Sequence, residues 1–184
     1  MDPLAVLEDL LRSDAPRLEA LGAVAALDLP DCWIGAGFVR NAVWDHLHGR
    51  PPAFPATDVD VIWFAPERAD EEVDRNIEQK LSALFPEHAW SVKNQARMHR
   101  RNGDAPYGSV ADAMCHWPET ATAVAARLDN GRVEISAPLG LDDLFALRLR
   151  PTPAFADEKW PVFQQRLLSK RWNEHYPRLV VLRR

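Results

Sequence analysis

The chain has 184 residues, enough for one domain with a substantial core, and its 47% apolar and 27% charged residues are ordinary for a globular protein. A formal net charge of −5 argues against a broad electrostatic grip on nucleic acid, although it leaves room for a nucleotide neutralised locally by a cation. Two cysteines, no apolar run of about 18 residues and no basic-then-apolar leader pattern argue against a disulfide framework, a membrane span and a signal peptide, so cytoplasm is the expected setting.

Residues 3–11 read as an amphipathic helix with Leu4, Leu7, Leu10 and Leu11 on one side. A second helix opens at Asp14-Ala15-Pro16, with its proline early, and runs to about Leu27 before Pro30-Asp31 ends it. Cys32-Trp33-Ile34 is a short apolar strand leading into Gly35-Ala36-Gly37. A helix over 38–47 follows, then a proline-rich loop over 49–56. The clearest strand is 58–64. A polar-faced helix over 66–85, a strand over 90–99 and a basic loop over 100–106 come next, and Ser109-Val110-Ala111-Asp112 resembles a capping box. Residues 122–128 and 132–136 flank Asp129-Asn130-Gly131, a hairpin signal. Helices are expected over 141–150, with Asp142-Asp143 as its cap, and over 157–171. This order indicates an α/β or α+β fold with a mixed sheet and flanking helices. Residues 1–30 are expected to pack as helices on a core spanning 31–150, with 151–184 as a helical extension of one compact unit.

The chemistry concentrates in two places. In Thr57-Asp58-Val59-Asp60-Val61-Ile62-Trp63-Phe64, side chains at i and i+2 of a strand share a face, so Asp58 and Asp60 emerge together while Val59, Val61 and Trp63 point into apolar surroundings. Two unpaired carboxylates on one face raise each other's pKa, and a divalent cation such as Mg²⁺ or Mn²⁺ relieves the conflict while sharing phosphate oxygens. In Gly35-Ala36-Gly37-Phe38-Val39-Arg40-Asn41, glycines between a strand and a helix allow a close backbone approach, and the helix start offers amides to a phosphate. Arg40 has a planar fork suited to phosphate or carboxylate. A tight turn with close strand–helix packing explains the same glycines equally well. Gly35-x-Gly37 also opens a dinucleotide fingerprint, with acids about twenty residues later, but Arg40 stands at its third glycine position.

Together these two segments resemble the nucleotidyltransferase core shared by DNA polymerase beta, poly(A) polymerases and tRNA CCA-adding enzymes. Asn94 to His99, His116 to Thr120 and Ala137 to Leu144 extend the resemblance to small bacterial nucleotidyltransferase-like proteins of unassigned substrate. The resemblance implies that Asp58 and Asp60 hold two metal ions and that Gly35, Ala36, Gly37, Arg40 and Asn41 serve the phosphates. A nucleoside monophosphate would then pass from an NTP to an acceptor hydroxyl of unknown identity. Ala36-Gly37 departs from the usual Gly-Gly or Gly-Ser, and Asn41 stands where CCA-adding enzymes carry Asp. Glu134 is the candidate for a third catalytic carboxylate. The alternative is a catalytically inactive module on the same fold that binds a nucleotide or a partner. There is no strong nucleic-acid signal. Arg97, His99, Arg100 and Arg101 read mainly as a solvated basic patch, and Trp33, Trp44, Trp63, Trp90 and Trp117 mainly as core.

Overall fold

The computed structural model describes residues 2–51, 53 and 58–182; Pro52 and residues 54–56 of the expected proline-rich loop, together with Thr57, lie outside the described residues. Helices α1 (Pro3–Ser13) and α2 (Ala15–Ala25) each begin with an aspartate cap and an early proline. Asp2 accepts from the Leu4 amide at 3.1 Å and Asp14 from the Arg17 amide at 3.1 Å. Arg17 is fully buried, pairs with Asp14, and donates Nε to the Phe38 carbonyl at 3.0 Å. It thereby fastens α2 to the start of α3 (Gly37–Leu47), the helix that follows β1 (Trp33–Gly35).

The central sheet has five strands in the order β3-β2-β1-β4-β5, formed by β2 (Val59–Trp63), β3 (Trp90–Asn94), β4 (Ala125–Asp129) and β5 (Arg132–Ser136) around β1. Only β2 and β3 run parallel, so the sheet is mixed and the fold is α+β, as the element order implied. Val59, Val61 and Trp63 face one side and are fully buried with Leu7, Leu11, Phe38 and Trp44. Ile62 faces the other side and packs with Val110, Met114 and Ala125 in a smaller cluster. Asn130 and Gly131 both take positive φ, 46° and 75°, as a two-residue turn of the primed type requires between β4 and β5.

Three expected elements change. The helix over 66–85 divides into a 3-10 turn at Pro66–Arg68 and α4 (Glu71–Leu84), because Asp70 caps α4 by accepting from the Glu72 amide at 2.8 Å. The strand over 90–99 stops at Asn94, where α5 (Gln95–Asn102) begins. Asn94 is fully buried; its side chain accepts from the Ala96 amide at 3.0 Å and donates to the Ala65 carbonyl at 2.8 Å, so it ends the strand and caps the helix. Fully buried Asp74 accepts from Trp63 Nε1 at 2.8 Å and pairs with Arg97, which draws Arg97 out of the expected basic patch. The helix over 141–150 is a single turn, α7 (Asp142–Phe145), with Leu141 rather than an aspartate at its cap. Leu147 turns the chain with φ 54°, and β6 (Arg148–Leu149) then pairs in parallel with β7 (Val180–Val181).

Elsewhere α6 (Val110–Cys115) follows the expected cap, with Ser109 Oγ accepting from the Asp112 amide at 3.1 Å. The chain then runs through a 3-10 turn at Pro153–Phe155 to α8 (Trp160–Lys170) and α9 (Trp172–His175). Among the described residues no helix is long and apolar enough to cross a membrane.

Candidate active site

The sheet carries the acid pair to the mouth of a cleft. Asp60 lies on β2 directly across from Gly35 of β1, and Asp58 precedes the strand. Both line one cavity of about 540 Å³ with Ala36, Gly37, Arg40, Arg166, Lys170 and Trp172. The two carboxylates thus meet the start of α3 and three cationic side chains.

The acids differ in environment. Asp58 is exposed, whereas Asp60 is partly covered. Burial, then the negative charge of Asp58, push the Asp60 carboxyl up to about 6 against the pull of Arg40, Lys170 and Arg166. The native state therefore holds its Asp60 proton more tightly than the unfolded chain between pH 3.8 and about 6. Stability from this group is present below that window and is lost as pH rises through it. Asp60→Asn should accordingly stabilise the metal-free protein at pH 7.5 by about 2 kcal/mol, with little difference at pH 4. Denaturant melts in chelator at the two pH values check this; a variant less stable than wild type at pH 7.5 contradicts it.

The turn explains each of its small residues differently. A Cβ on Gly35 would stand 3.0 Å from the Trp117 ring and 3.1 Å from Ile62, so this glycine answers to packing. Ala36 has φ 54° and ψ −123°, close to the first central position of a type II′ turn, which glycine dominates. Its amide donates to the Val124 carbonyl at 3.0 Å, and its carbonyl accepts from the Arg40 amide at 2.9 Å. No side chain caps α3 at this position. Holding alanine in this conformation costs about 1–3 kcal/mol. Ala36→Gly should therefore raise stability by about 1 kcal/mol after the entropic penalty of glycine, measured by chemical denaturation. A less stable variant would show that the methyl group is needed for packing.

Arg40 is buried and held on every side. Its guanidinium lies between the rings of Trp44 and Trp172, 4.7 and 4.5 Å from their centroids. It donates to Thr122 Oγ1 at 3.0 Å and to Asn41 Oδ1 at 2.9 Å. Burial lowers its pKa to about 10, with Glu119 opposing the shift, so it stays charged at neutral pH. Arg40 and Asn41 thus brace the turn and tie it to α9.

The structure does not bring Glu134 to this cleft. Glu134 sits on β5, the far edge of the sheet, and is paired with Arg127 directly across the hairpin at 2.6 Å. Two strands, β1 and β4, separate it from β2. Among the described residues no group of three or more His, Cys, Asp or Glu side chains gathers to hold an ion. The donor set that does fit Mg²⁺ or Mn²⁺ is the pair Asp58 and Asp60, two carboxylates in one cleft, with Asp60 pushed toward protonation by burial and then by Asp58. The antiparallel pairing of β1 with β2 removes the dinucleotide reading, which requires a parallel strand–helix–strand unit.

Sequence reasoning missed Arg166, Lys170, Trp172 and Glu119. Val162, Arg166 and Lys170 stand four residues apart and share one face of α8, a spacing visible in the sequence but indistinguishable there from a solvated stripe. Glu119 is fully buried; its Oε1 accepts from Arg166 Nε at 2.6 Å. Trp117 lines an adjoining cleft, whereas Trp44, Trp63 and Trp90 are core, as expected.

A mixed sheet thus sets Asp60 on β2, and Asp58 just before it, beside a helix start that no side chain caps. A family model described as nucleotidyltransferase matches residues 22–181, and the chain belongs to that family. Among solved structures, a protein whose NMR structure reveals a CCA-adding enzyme head domain is 35% identical, with 97% of this chain and 95% of that chain aligned at a TM-score of 0.86. A CCA-adding enzyme in complex with CTP aligns at a TM-score of 0.59 and 15% identity, over 96% of this chain and 43% of that one. The Thermotoga maritima CCA-adding enzyme complexed with tRNA aligns at 0.57 and 13%, over 97% and 42%. These two share the fold, and the chain spans less than half of their length. A search of curated protein sequences found no match.

Proposed function

We propose that the protein transfers a nucleoside monophosphate from an NTP to an acceptor hydroxyl, using Asp58 and Asp60 as metal ligands. The observation that carries this reading is the convergence of both acids, the start of α3 and the side chains of Arg40, Arg166 and Lys170 on one cleft. When bound at Asp58 and Asp60, a pair of Mg²⁺ or Mn²⁺ ions supplies Lewis acidity to the attacking hydroxyl and to the departing pyrophosphate. Gly37, at the start of α3 that no side chain caps, presents its backbone to the triphosphate, while Ala36, its amide held by Val124, shapes the turn. Arg166 and Lys170 neutralise its charge from α8, and Arg40 keeps the turn in place through Trp44, Trp172 and Thr122. The similarity to a CCA-adding enzyme head and the complex of a more distant relative with CTP support an NTP as the donor.

A second reading is a nucleotide-binding module without turnover, favoured by the placement of Glu134 outside the cleft. The test is labelled NTP and Mg²⁺ incubated with the protein and cell extract. Label transfer with pyrophosphate release supports the transferase; nucleotide binding without release supports the module.

A further inference from the structure

A second cleft of about 540 Å³ adjoins the first and shares Ala36, Asp60 and Arg166 with it. Its floor is the open face of the sheet, where Asp60 pairs with Ser91 and Ile62 with Lys93. One wall is α5, which contributes Met98 and Arg101; another contains Trp117; the third is Phe155, Lys159 just before α8, and the face of α8 bearing Val162 and Arg166. Val162 is 56% exposed, an apolar side chain left open at the mouth.

The lining of this cleft is cationic although the chain as a whole is acidic. Lys93, Arg101, Lys159 and Arg166 line it against a single acid, Asp60, whereas the chain carries net charge −5. Three of these cations have carboxylates behind them: Lys93 lies 3.7 Å from Glu78, Lys159 2.5 Å from Asp104 and Arg166 2.6 Å from Glu119. Among the described residues Arg101 has no ion-pair partner. The walls are also fixed before any ligand arrives. Lys159 donates to the Asn102 carbonyl at 3.0 Å as well as to Asp104, joining the end of α5 to the start of α8. Asp104 in turn accepts from Tyr107 Oη at 2.5 Å. A preformed slot of this volume, apolar in its body and basic at its rim, matches a small ligand rather than an extended chain.

We infer that this second cleft receives the acceptor, and that the acceptor is a small molecule with a flat apolar body and an anionic group, phosphate or carboxylate. The inference rests on the transferase reading above and adds the acceptor class to it. The ligand body lies against Trp117 and Phe155, its anion meets Arg101 and Lys93, and its hydroxyl reaches toward Asp60, where the two clefts join.

Phenyl phosphate, benzoate, neutral benzyl alcohol and an RNA hexanucleotide are the probes, titrated into isotope-labelled protein and followed by NMR. Phenyl phosphate, benzoate or both should shift the Trp117 indole and Met98 methyl signals, and whichever binds more tightly identifies the anion. Benzyl alcohol should bind at least five-fold more weakly. Lys93→Ala/Arg101→Ala should weaken the anionic probe at least five-fold, with its folded spectrum retained, and a non-hydrolysable NTP analogue at saturation should leave the probe in place. The inference is overturned if no probe shifts Trp117, if the double variant binds as wild type, if the analogue displaces the probe, or if the hexanucleotide binds there more tightly. Probe binding at Trp117 with no nucleotide bound anywhere would keep the slot but remove the transferase reading, and with it the acceptor role.

Discussion

Replacing both Asp58 and Asp60 with Asn should reduce metal-dependent nucleotidyl transfer by roughly 10³-fold or more while the domain stays folded. Asn is nearly isosteric with Asp but neutral, so the cleft keeps its shape and loses the charge that draws cations to it. The fold does not depend on either carboxylate: Asp58 is exposed, and Asp60 is raised by burial and by Asp58 rather than stabilised by an ion pair. Pyrophosphate release measured with NTP and Mg²⁺, beside a thermal melt of the same sample, separates lost chemistry from lost structure. Equal release by variant and wild type would remove the proposed mechanism.

Arg40→Ala should cost about 3 kcal/mol of stability or more and lower activity with it. The guanidinium is desolvated between Trp44 and Trp172, where each cation–ring contact contributes about 2 kcal/mol. Truncation opens a cavity and leaves buried Thr122 without its partner. Arg40→Lys should rescue little, because an ammonium cannot fill the planar space between the rings or reach Thr122 and Asn41 together. Denaturant midpoints for both variants check this. Midpoints equal to wild type would show that the cation does not brace the turn.

The features that sequence pattern made legible are those set by local chemistry. Alternation in 59–63 and Asn130-Gly131 each dictate their conformation within a few residues, and both appear as expected; the turn between strand and helix also falls at 35–37, but Ala36 rather than either glycine takes the positive φ. The segment after Asn94 could not be read that way. Its alternation persists, but buried Asn94 finds partners in Ala65 and Asp74, far away in sequence, and these decide that the strand ends there. Arg148–Leu149 leaves the expected helix for the same kind of reason, pairing with Val180–Val181. Glu134, the candidate third carboxylate, depends on strand order, which no local pattern encodes and which puts it at the sheet's far edge beside Arg127. The whole-chain charge likewise concealed a basic cleft, since Arg101 and the α8 cations come together only in three dimensions.

The most direct test of the acid pair is manganese binding, followed by electron paramagnetic resonance in the presence of a non-hydrolysable NTP analogue. The wild-type protein should take up Mn²⁺ with the analogue, and the Asp58→Asn/Asp60→Asn protein should leave the ion free in solution. Equal uptake by the two proteins would contradict the assignment of these aspartates as the metal ligands.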